Sequence, residues 1–313
     1  MNAISECPVM SKSRNADELA ARLSPEALVR RDEPLAKRTT LRVGGPADVY
    51  LEPASEEDLA AALKFCAGQK LAFFVLGRGS NLLVRDGGFR GVVICLAHER
   101  FSRIEVTGER LQCGAGARLK QVAVEAKHHG LSGLEFLDGI PGSVGGALRM
   151  NAGAMGGWTF NAVESVRFMD CAGQIYQRVT HEVPVEYRNC PLFKDHTALS
   201  AVFVCTPAPH EAIERRMNEF SQKRWTTQPA APSAGCVFKN PPEIRAGRLI
   251  DELGLKGARA GGAVVSTEHG NFIVNNGTAT AQDVLDLIAI IKARAKDERG
   301  IELQTEVEIV GED

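Results

Sequence analysis

The stretch that decides the fold is residues 76–96, which read LGRGSNLLVRDGGFRGVVICL. A glycine loop at residues 77–81 runs directly into a β-rich segment that is broken by a Gly-Gly turn and lacks the 3.6-residue repeat of a helix. A Rossmann fingerprint needs its glycines to open a helix, whose N-terminus then carries the pyrophosphate. The sequence therefore disfavours the Rossmann fold, and it disfavours a P-loop because no Gly-Lys-Ser/Thr follows.

The segments around this loop indicate a mixed α+β domain. Residues 55–68 predict a helix that Ser55 and Asp58 begin in the manner of a capping box. A strand is expected at residues 71–77, and a second helix at residues 117–130 ends at Gly130, a typical C-cap.

The richest glycine segment of the chain is residues 130–157, GLSGLEFLDGIPGSVGGALRMNAGAMGG. Glycine at this density costs backbone entropy that an ordinary loop avoids. Close approach of backbone N–H groups to a ligand phosphate explains it, and so does a set of tight turns in a β-rich domain. Because two such loops occur in one predicted domain, the balance favours a diphosphate ligand.

Composition restricts the class of protein. The chain has 313 residues, 44% hydrophobic and 24% charged, with a formal net charge of -2, which argues against nucleic-acid or membrane-surface partners. No apolar run is long enough to cross a membrane and the N-terminus lacks a signal core, so we expect a cytoplasmic protein. Eight cysteines without a C-x-x-C pair or a His-Cys cluster support neither a metal site nor a disulfide framework.

Three regions are expected along the chain. Residues 1–30 predict a flexible N-terminal extension, residues 31–207 the first domain, and residues 208–313 a smaller C-terminal α+β domain that begins with a helix near residue 210. The last domain closes with a helix between a Thr280–Asp283 capping box and Gly300. The alternating residues 301–311, IELQTEVEIVG, then predict a strand.

Five motifs in order resemble the UDP-N-acetylenolpyruvoylglucosamine reductase family, over roughly residues 35–311. The resemblance implies FAD in a vanillyl-alcohol-oxidase-type (PCMH-type) domain of two α+β subdomains, with NADPH as reductant. It further implies an enolpyruvyl small-molecule substrate and a role in peptidoglycan precursor synthesis, and we expect a monomer. The spacing between the third and fourth motifs resembles the family's short form. The motifs are LGRGSNLLV (76–84), GIPGSVGGALRMNAGA (139–154), YRNCPLF (187–193), SAGCVFKNP (233–241) and LQTEVEIVG (303–311).

The resemblance assigns roles to individual positions. Arg188 falls on the family's catalytic arginine, Cys236 on its proton donor and Glu306 on its catalytic glutamate. Substrate contacts fall on Tyr187, Lys239 and Asn240, with Arg224 as the candidate for the UDP diphosphate. The positions that match the FAD-cradling loops are Gly77, Gly79, Ser80, Asn81, Leu82, Ile140, Pro141, Gly142, Ser143, Gly145, Gly146, Asn151 and Gly153.

This set suits the reduction of an enolpyruvyl ether. Negative charge that develops next to a carboxylate needs a cation and a hydrogen-bond donor, which Arg188 and a protonated Glu306 supply. The resulting carbanionic carbon needs one proton, and a thiol of ordinary pKa near 8.5 is protonated at neutral pH. Cys236 is therefore expected to act as an acid.

Other interpretations stay open at this point. A different flavin oxidoreductase of the same fold would oxidise a hydroxy acid or alcohol, and it gives no reason for the three catalytic positions. A catalytically silent flavin-binding module would bind the cofactor alone. A cysteine hydrolase would need a histidine beside Cys236, and His269 is the nearest one downstream.

Overall fold

The computed structural model describes residues 12–313. Short 3₁₀ turns lie at Leu35–Arg38, Glu99–Phe101, Glu135–Gly139 and Thr180–Glu182. The helices are α1 (Lys12–Ala20), α2 (Glu56–Gln69), α3 (Leu119–His128), α4 (Val144–Met150), α5 (Thr159–Ala162), α6 (Leu192–Asp195), α7 (His210–Thr227), α8 (Ala246–Glu252) and α9 (Ala281–Arg299). The strands are β1 (Leu28–Pro34), β2 (Pro46–Glu52), β3 (Phe73–Leu76), β4 (Leu82–Val84), β5 (Phe89–Cys95), β6 (Ile104–Thr107), β7 (Arg110–Gly114), β8 (Leu131–Ser132), β9 (Gly153–Ala154), β10 (Gly157–Trp158), β11 (Val163–Met169), β12 (Ile175–Val179), β13 (Thr197–Val204), β14 (Thr206–Pro207), β15 (Ser233–Cys236), β16 (Arg259–Ala260), β17 (Ala263–Val265), β18 (Phe272–Asn275) and β19 (Glu308–Val310).

Two sheets build the first half of the chain. The first has the order β1-β2-β5-β3, with β5 parallel to both β2 and β3, and α2 lies between β2 and β3 in the chain. The second, β12-β11-β13-β7-β6, is antiparallel. Residues of both sheets, such as Val92 and Phe203, are buried in one continuous core. These sheets correspond to the two α+β subdomains that the family resemblance implies.

Helix α2 forms as predicted because its N-terminal cap and its apolar face both favour a helix over the same residues. The Ser55 hydroxyl accepts from the Asp58 N–H at 3.2 Å, and acidic residues fill the first turn, where they complement the helix dipole. Leu59 and Leu63 on the inner face are buried in the core. The glycine loop after β3 leads into strand β4, not a helix, as the sequence predicts.

The expectation of a flexible extension at residues 1–30 is wrong for residues 12–30, and residues 1–11 lie outside the described residues. Helix α1 buries Ala16 and Leu19 in the first core. The carboxylate of Asp58 accepts from both the N–H and the hydroxyl of Ser24, each at 2.7 Å, which ties the following segment to α2. Burial and these charge-assisted bonds order a segment whose sequence has no clear period.

The position of α7 also differs from the prediction. Its buried residues Ile213 and Met217 belong to the first core. The second core takes its C-terminal residues only from Ala234 onwards, and Leu41, Val43 and Leu83 complete it. Arg216 pairs with Glu135 at 3.3 Å on the same side. Packing therefore moves the boundary from residue 207 to the segment at residues 228–232, because the apolar face of α7 is buried in the first core.

The C-terminal domain packs α8 and α9 with the antiparallel sheet β15-β18-β17-β16. Helix α9 begins at the predicted capping box and ends at Gly300, whose φ of 68° is left-handed. The predicted strand at residues 301–311 is wrong for most of its length, since only β19 forms and it pairs in parallel with β4. Before β19, Thr305 forms an isolated bridge with Phe238, which lies in the segment that follows β15.

Candidate active site

A cleft of about 1090 Å³ lies beside the two glycine loops. This volume slightly exceeds the range that is typical of small-molecule and cofactor sites, about 300–1,000 Å³. Four of the predicted cofactor residues line it, namely Gly77, Ser143, Gly145 and Gly146. The remaining predicted positions are not in its wall, namely Gly79, Ser80, Asn81, Leu82, Ile140, Pro141, Gly142, Asn151 and Gly153.

The two loops approach each other so closely that side chains would fill the space between them. A Cβ atom at Gly77 would lie 2.8 Å from the hydroxyl of Ser143, which itself accepts from the Gly146 N–H at 3.4 Å and begins α4. Gly79 has a φ of +59°, and a Cβ there would lie 2.5 Å from the Arg38 carbonyl. Glycine is thus required at Gly77 in the wall of the cleft and at Gly79 in the adjoining loop. A wall of bare backbone fits the FAD that the family resemblance implies.

Several predicted cofactor residues instead hold the site together. The Asn81 side-chain nitrogen donates to the main-chain carbonyl of Glu306 at 3.0 Å. The main-chain carbonyl of Asn81 accepts from the Glu308 N–H at 3.0 Å. Asn151 ends α4 with a left-handed φ of 38° and donates to the Glu186 carbonyl at 3.2 Å. Both asparagines therefore position segments that carry other predicted site residues, and direct cofactor contact by them stays a prediction.

A second cavity, of about 660 Å³, is lined by two of the three predicted catalytic residues. Arg188 and Cys236 line it together with Gly153, Tyr187 and Asn240. Residues from the first half of the chain and from the C-terminal domain thus meet at one cavity.

Arg188 sits at the tip of a tight turn. The turn is closed by the bridge between Glu186 and Asn189, and Arg188 has a left-handed φ of 57°. Its guanidinium donates to the Gly153 carbonyl at 3.2 Å and lies 5.1 Å from the centre of the Trp158 ring. A non-glycine residue in this conformation is uncommon, and such strain is frequent at functional sites.

Arg188 forms an ion pair with Glu306. The Arg188 Nε atom lies 2.8 Å from Glu306 Oε1, with side-chain exposures of only 19% and 11%. The Glu306 N–H donates to the Val237 carbonyl at 2.8 Å, which fixes the glutamate next to the residue after Cys236. Burial raises the pKa of Glu306, and the nearby charges of Arg188 and Lys239 oppose that rise.

The structure separates the three acids that the sequence places near the C-terminus. Glu302 pairs at 2.8 Å with Lys296, and both side chains are exposed. Glu308 pairs at 2.5 Å with Arg149, a residue of the first cleft. Only Glu306 of the three pairs with Arg188, which supports its choice over the other two.

The surroundings of Cys236 favour its thiol form over the thiolate. Burial, followed by the negative charge of Glu306, raises its pKa to about 12, although the charge of Arg188 and the amide of Asn271 act in the opposite direction. A cysteine hydrolase needs a thiolate, which a lowered pKa provides. The shift in this site is the reverse, and it suits an acid.

The predicted substrate residues are divided by the structure. The Tyr187 hydroxyl and the Asn240 side-chain nitrogen are 3.5 Å apart in the second cavity. The main-chain N–H of Lys239 donates to the Gln304 carbonyl at 2.9 Å. The positive charge of its side chain acts to lower the pKa of Glu306. Arg224 does not line the cavity, because its guanidinium donates to the Gly139 carbonyl, so its prediction as the diphosphate contact is not supported.

Sequence reasoning missed three residues of the site. Trp158 packs against Arg188 and, edge-on at 5.6 Å, against Tyr187. Arg149 joins the first cleft to Glu308. Asn271 lies beside Cys236, and a polar residue at the start of the apolar strand FIVN was a signal that could have marked it.

Two further properties concern the described residues alone. No three or more His, Cys, Asp or Glu side chains come together in residues 12–313 in a way that could hold a metal ion. Over the same residues, every helix is too short or too polar to cross a membrane.

Comparison with known proteins defines the class first. Residues 47–177 match the family model of an FAD binding domain, and the two-subdomain cleft confirms the predicted α+β fold. Residues 228–310 match the model "UDP-N-acetylenolpyruvoylglucosamine reductase, C-terminal domain". Fold and site together define an FAD-dependent oxidoreductase.

Individual relatives define the family. A UDP-N-acetylenolpyruvoylglucosamine reductase of Geobacter metallireducens is 44% identical over 95% of this chain and 99% of its own length. One of Clostridium novyi is 41% identical over 88% of this chain and 90% of its own. The crystal structure of the Thermus caldophilus reductase superimposes with a TM-score of 0.79 at 40% identity, covering 91% of this chain and 98% of that one. The chain belongs to the UDP-N-acetylenolpyruvoylglucosamine reductase family.

Proposed function

We propose that this chain reduces UDP-N-acetylglucosamine enolpyruvate to UDP-N-acetylmuramate, with NADPH as reductant, in peptidoglycan precursor synthesis. The observation that carries the proposal is the buried Arg188–Glu306 ion pair, whose arginine lines one cavity together with Cys236, a residue whose raised pKa favours the thiol form. The match to relatives that are named for an enolpyruvyl sugar nucleotide supports it. We further propose that the protein acts as a monomer in the cytoplasm.

The cofactor is held by the first cleft. We assign its cradle to Gly77, Ser143, Gly145 and Gly146, because these residues line the cleft where a side chain would obstruct it. FAD, when bound, supplies the two-electron chemistry that carries hydride from NADPH to the vinyl carbon. The roles of Asn81 and Asn151 are to position Glu306 and the turn of Arg188.

Arg188 and Glu306 stabilise the charge that the reduction creates. Addition of hydride to the CH₂ carbon leaves negative charge on the neighbouring carbon, delocalised into its carboxylate. The Arg188 guanidinium, held by Trp158 and the Gly153 carbonyl, is positioned for that carboxylate. Burial raises the pKa of Glu306, so this carboxylate takes up a proton more readily than an exposed one. In its protonated form it no longer forms an ion pair with Arg188 and can donate a hydrogen bond to the developing enolate.

Cys236 completes the reaction by donating its proton to the carbanionic carbon. The S–H bond breaks, a C–H bond forms, and the electron pair remains on sulfur as a thiolate that solvent then reprotonates. Since its pKa lies far above neutrality, the thiol carries the proton that it donates at the start of each turnover. Tyr187, Lys239 and Asn240 are assigned to substrate binding around this group.

The testing experiment follows anaerobic NADPH oxidation by the FAD-loaded protein with and without UDP-N-acetylglucosamine enolpyruvate. We expect oxidation to depend on that substrate and to yield one UDP-N-acetylmuramate per NADPH. If NADPH is consumed no faster with the substrate, the proposal fails. Flavin reduction by a hydroxy acid or alcohol would then favour the other flavin oxidoreductases, and no reduction by either donor would favour a silent flavin-binding module.

A further inference from the structure

The short hairpin of β9 and β10 places the indole of Trp158 at the second cavity. Trp158 pairs with Gly153 in this hairpin, and a Cβ atom at Gly153 would overlap the indole ring. The ring therefore lies directly over the main chain of Gly153, where any side chain would displace it. Both residues line the cavity together with Arg188. A packing partner within the chain thus accounts for the glycine at position 153.

Two contacts from this hairpin reach the guanidinium of Arg188. Its Nη1 atom donates to the Gly153 carbonyl at 3.2 Å, and its Cζ atom lies 5.1 Å from the centre of the Trp158 ring. The Tyr187 ring lies 5.5 Å from the same Cζ atom, and the two rings meet edge-on at 5.6 Å with 75° between their planes. The guanidinium therefore occupies a corner between two aromatic rings, within the distance of about 6 Å at which a ring attracts a cation.

The ion pair with Glu306 does not by itself orient the guanidinium of Arg188. The Arg188 Nε atom lies 2.8 Å from Glu306 Oε1, but its N–H bond is not directed at that oxygen. Over residues 12–313, Nε is a buried donor without a hydrogen bond. Charge attraction depends on distance, whereas a hydrogen bond also fixes an angle. The orientation of the guanidinium therefore depends on the Gly153 carbonyl and on the indole of Trp158.

We propose that Trp158 is a positioning residue for Arg188, which holds the plane of the guanidinium toward the substrate carboxylate whether Glu306 is charged or protonated. The attraction between a cation and an aromatic ring needs no charge on the glutamate. The catalytic consequence rests on the proposed function, but the contact between indole and guanidinium does not. The other titratable groups whose charge acts on the ion pair are Cys236 and Lys239.

The first experiment weakens the attraction of the ring without changing its shape. Nonsense suppression at position 158 introduces tryptophan analogues with one, two or three ring fluorines, which withdraw electron density from the ring face. In single turnover of the FAD-loaded protein, reoxidation of the reduced flavin by the enolpyruvyl substrate should slow stepwise with each fluorine. We expect a total of about two- to fivefold, the value of a cation–π contact of ordinary strength. The same analogues at Trp225, which is 70% exposed, are the matched control and should leave the rate unchanged.

The second experiment detects the contact without any catalytic measurement. Urea unfolding of wild type, Trp158→Leu, Arg188→Gln and the double variant gives a double-mutant cycle. We expect the two substitutions to be non-additive, with a coupling of about two- to fivefold in the unfolding equilibrium constant. Trp225→Leu combined with Arg188→Gln should be additive. If Trp158→Leu does not fold, the fluorinated proteins replace it in the cycle because they keep the shape of the ring.

The two experiments together decide the proposal. Coupling in the cycle and a stepwise fall in the reoxidation rate support it. Additive free energies of unfolding overturn it, because the indole then does not hold the guanidinium. Coupling with equal reoxidation rates for all analogues also overturns it, since the contact would then serve only the packing of the hairpin. If wild type itself shows no reoxidation by the enolpyruvyl substrate, the proposed function fails, and the cycle still decides whether Trp158 holds Arg188.

Discussion

Arg188 and Glu306, which lie 118 positions apart by residue number, form an ion pair of 2.8 Å across the two halves of the molecule. Arg188 comes from a tight turn in the FAD-binding half, and Glu306 comes from the segment just before β19. Neither half therefore contains the site by itself. The pair forms only when the C-terminal domain has docked on the FAD-binding half.

Replacing Cys236 by alanine should separate the two half-reactions. We expect flavin reduction by NADPH to stay within twofold of normal, and reoxidation by the enolpyruvyl substrate to fall about 10²- to 10⁴-fold, the usual contribution of a general acid. Stopped-flow flavin absorbance measures both rates. Cys66→Ala is the control, because Cys66 is a fully buried core thiol away from both cavities. Equal loss of both half-reactions would contradict the proton-donor role.

Replacing Arg188 by glutamine should remove the cation that stabilises the developing charge. Loss of one such donor typically lowers kcat about 10²- to 10³-fold. The buried Glu306 also loses its counter-charge, so its pKa should rise further. Steady-state kinetics against Arg110→Gln, which breaks an exposed pair with Glu164, provides the comparison. A kcat for Arg188→Gln within threefold of wild type would refute the assignment.

The stability of the protein should depend on the protonation of Glu306. Because burial raises its pKa above the usual 4.5, the folded protein holds this proton more tightly than the unfolded chain does. The stabilisation is complete below pH 4.5 and is lost as the pH rises through the folded-state value. Urea unfolding of wild type and Glu306→Gln from pH 4.5 to 8 should therefore show wild type losing free energy of unfolding relative to the variant. Parallel pH curves would contradict the shift.

Gly77→Ala should weaken FAD binding. The added methyl group would lie 2.8 Å from the Ser143 hydroxyl in the wall of the first cleft. Overpacking of this kind costs about 1–3 kcal/mol, and about 1.4 kcal/mol raises a Kd tenfold. Titration of apoprotein by flavin fluorescence measures the effect. Gly68→Ala is the matched control, since no atom lies within 4 Å of its added Cβ. Equal Kd values for the two variants would count against this cradle.

Local signals were sufficient where a segment's own residues determine its structure. The Ser55 cap, the Thr280–Asp283 capping box and the Gly300 stop place α2 and α9 because each acts within one turn of the helix. The loop at residues 77–81 likewise indicates that a strand follows, and β4 does.

Signals failed where a distant partner decides. The polar segment at residues 12–30 is ordered by Asp58 and by the first core, which its own pattern does not show. The alternation of residues 301–311 predicts one strand. In the structure Thr305 pairs with Phe238, whereas β19 pairs with β4, so the segment has two different neighbours. The guanidinium of Arg224 donates to the Gly139 carbonyl, a contact that its charge in the sequence does not indicate, and its role toward a diphosphate stays a prediction.

The bond from Asn81 to the Glu306 carbonyl spans 225 positions of the chain. Contacts of such sequence separation form late, since the entropy of closing a long loop is lost before any stabilisation is gained. We therefore expect the flavin cleft to form before Glu306 reaches Asn81 during folding. Refolding monitored by flavin capture should run ahead of the recovery of activity, and the delay should lengthen in Asn81→Ala.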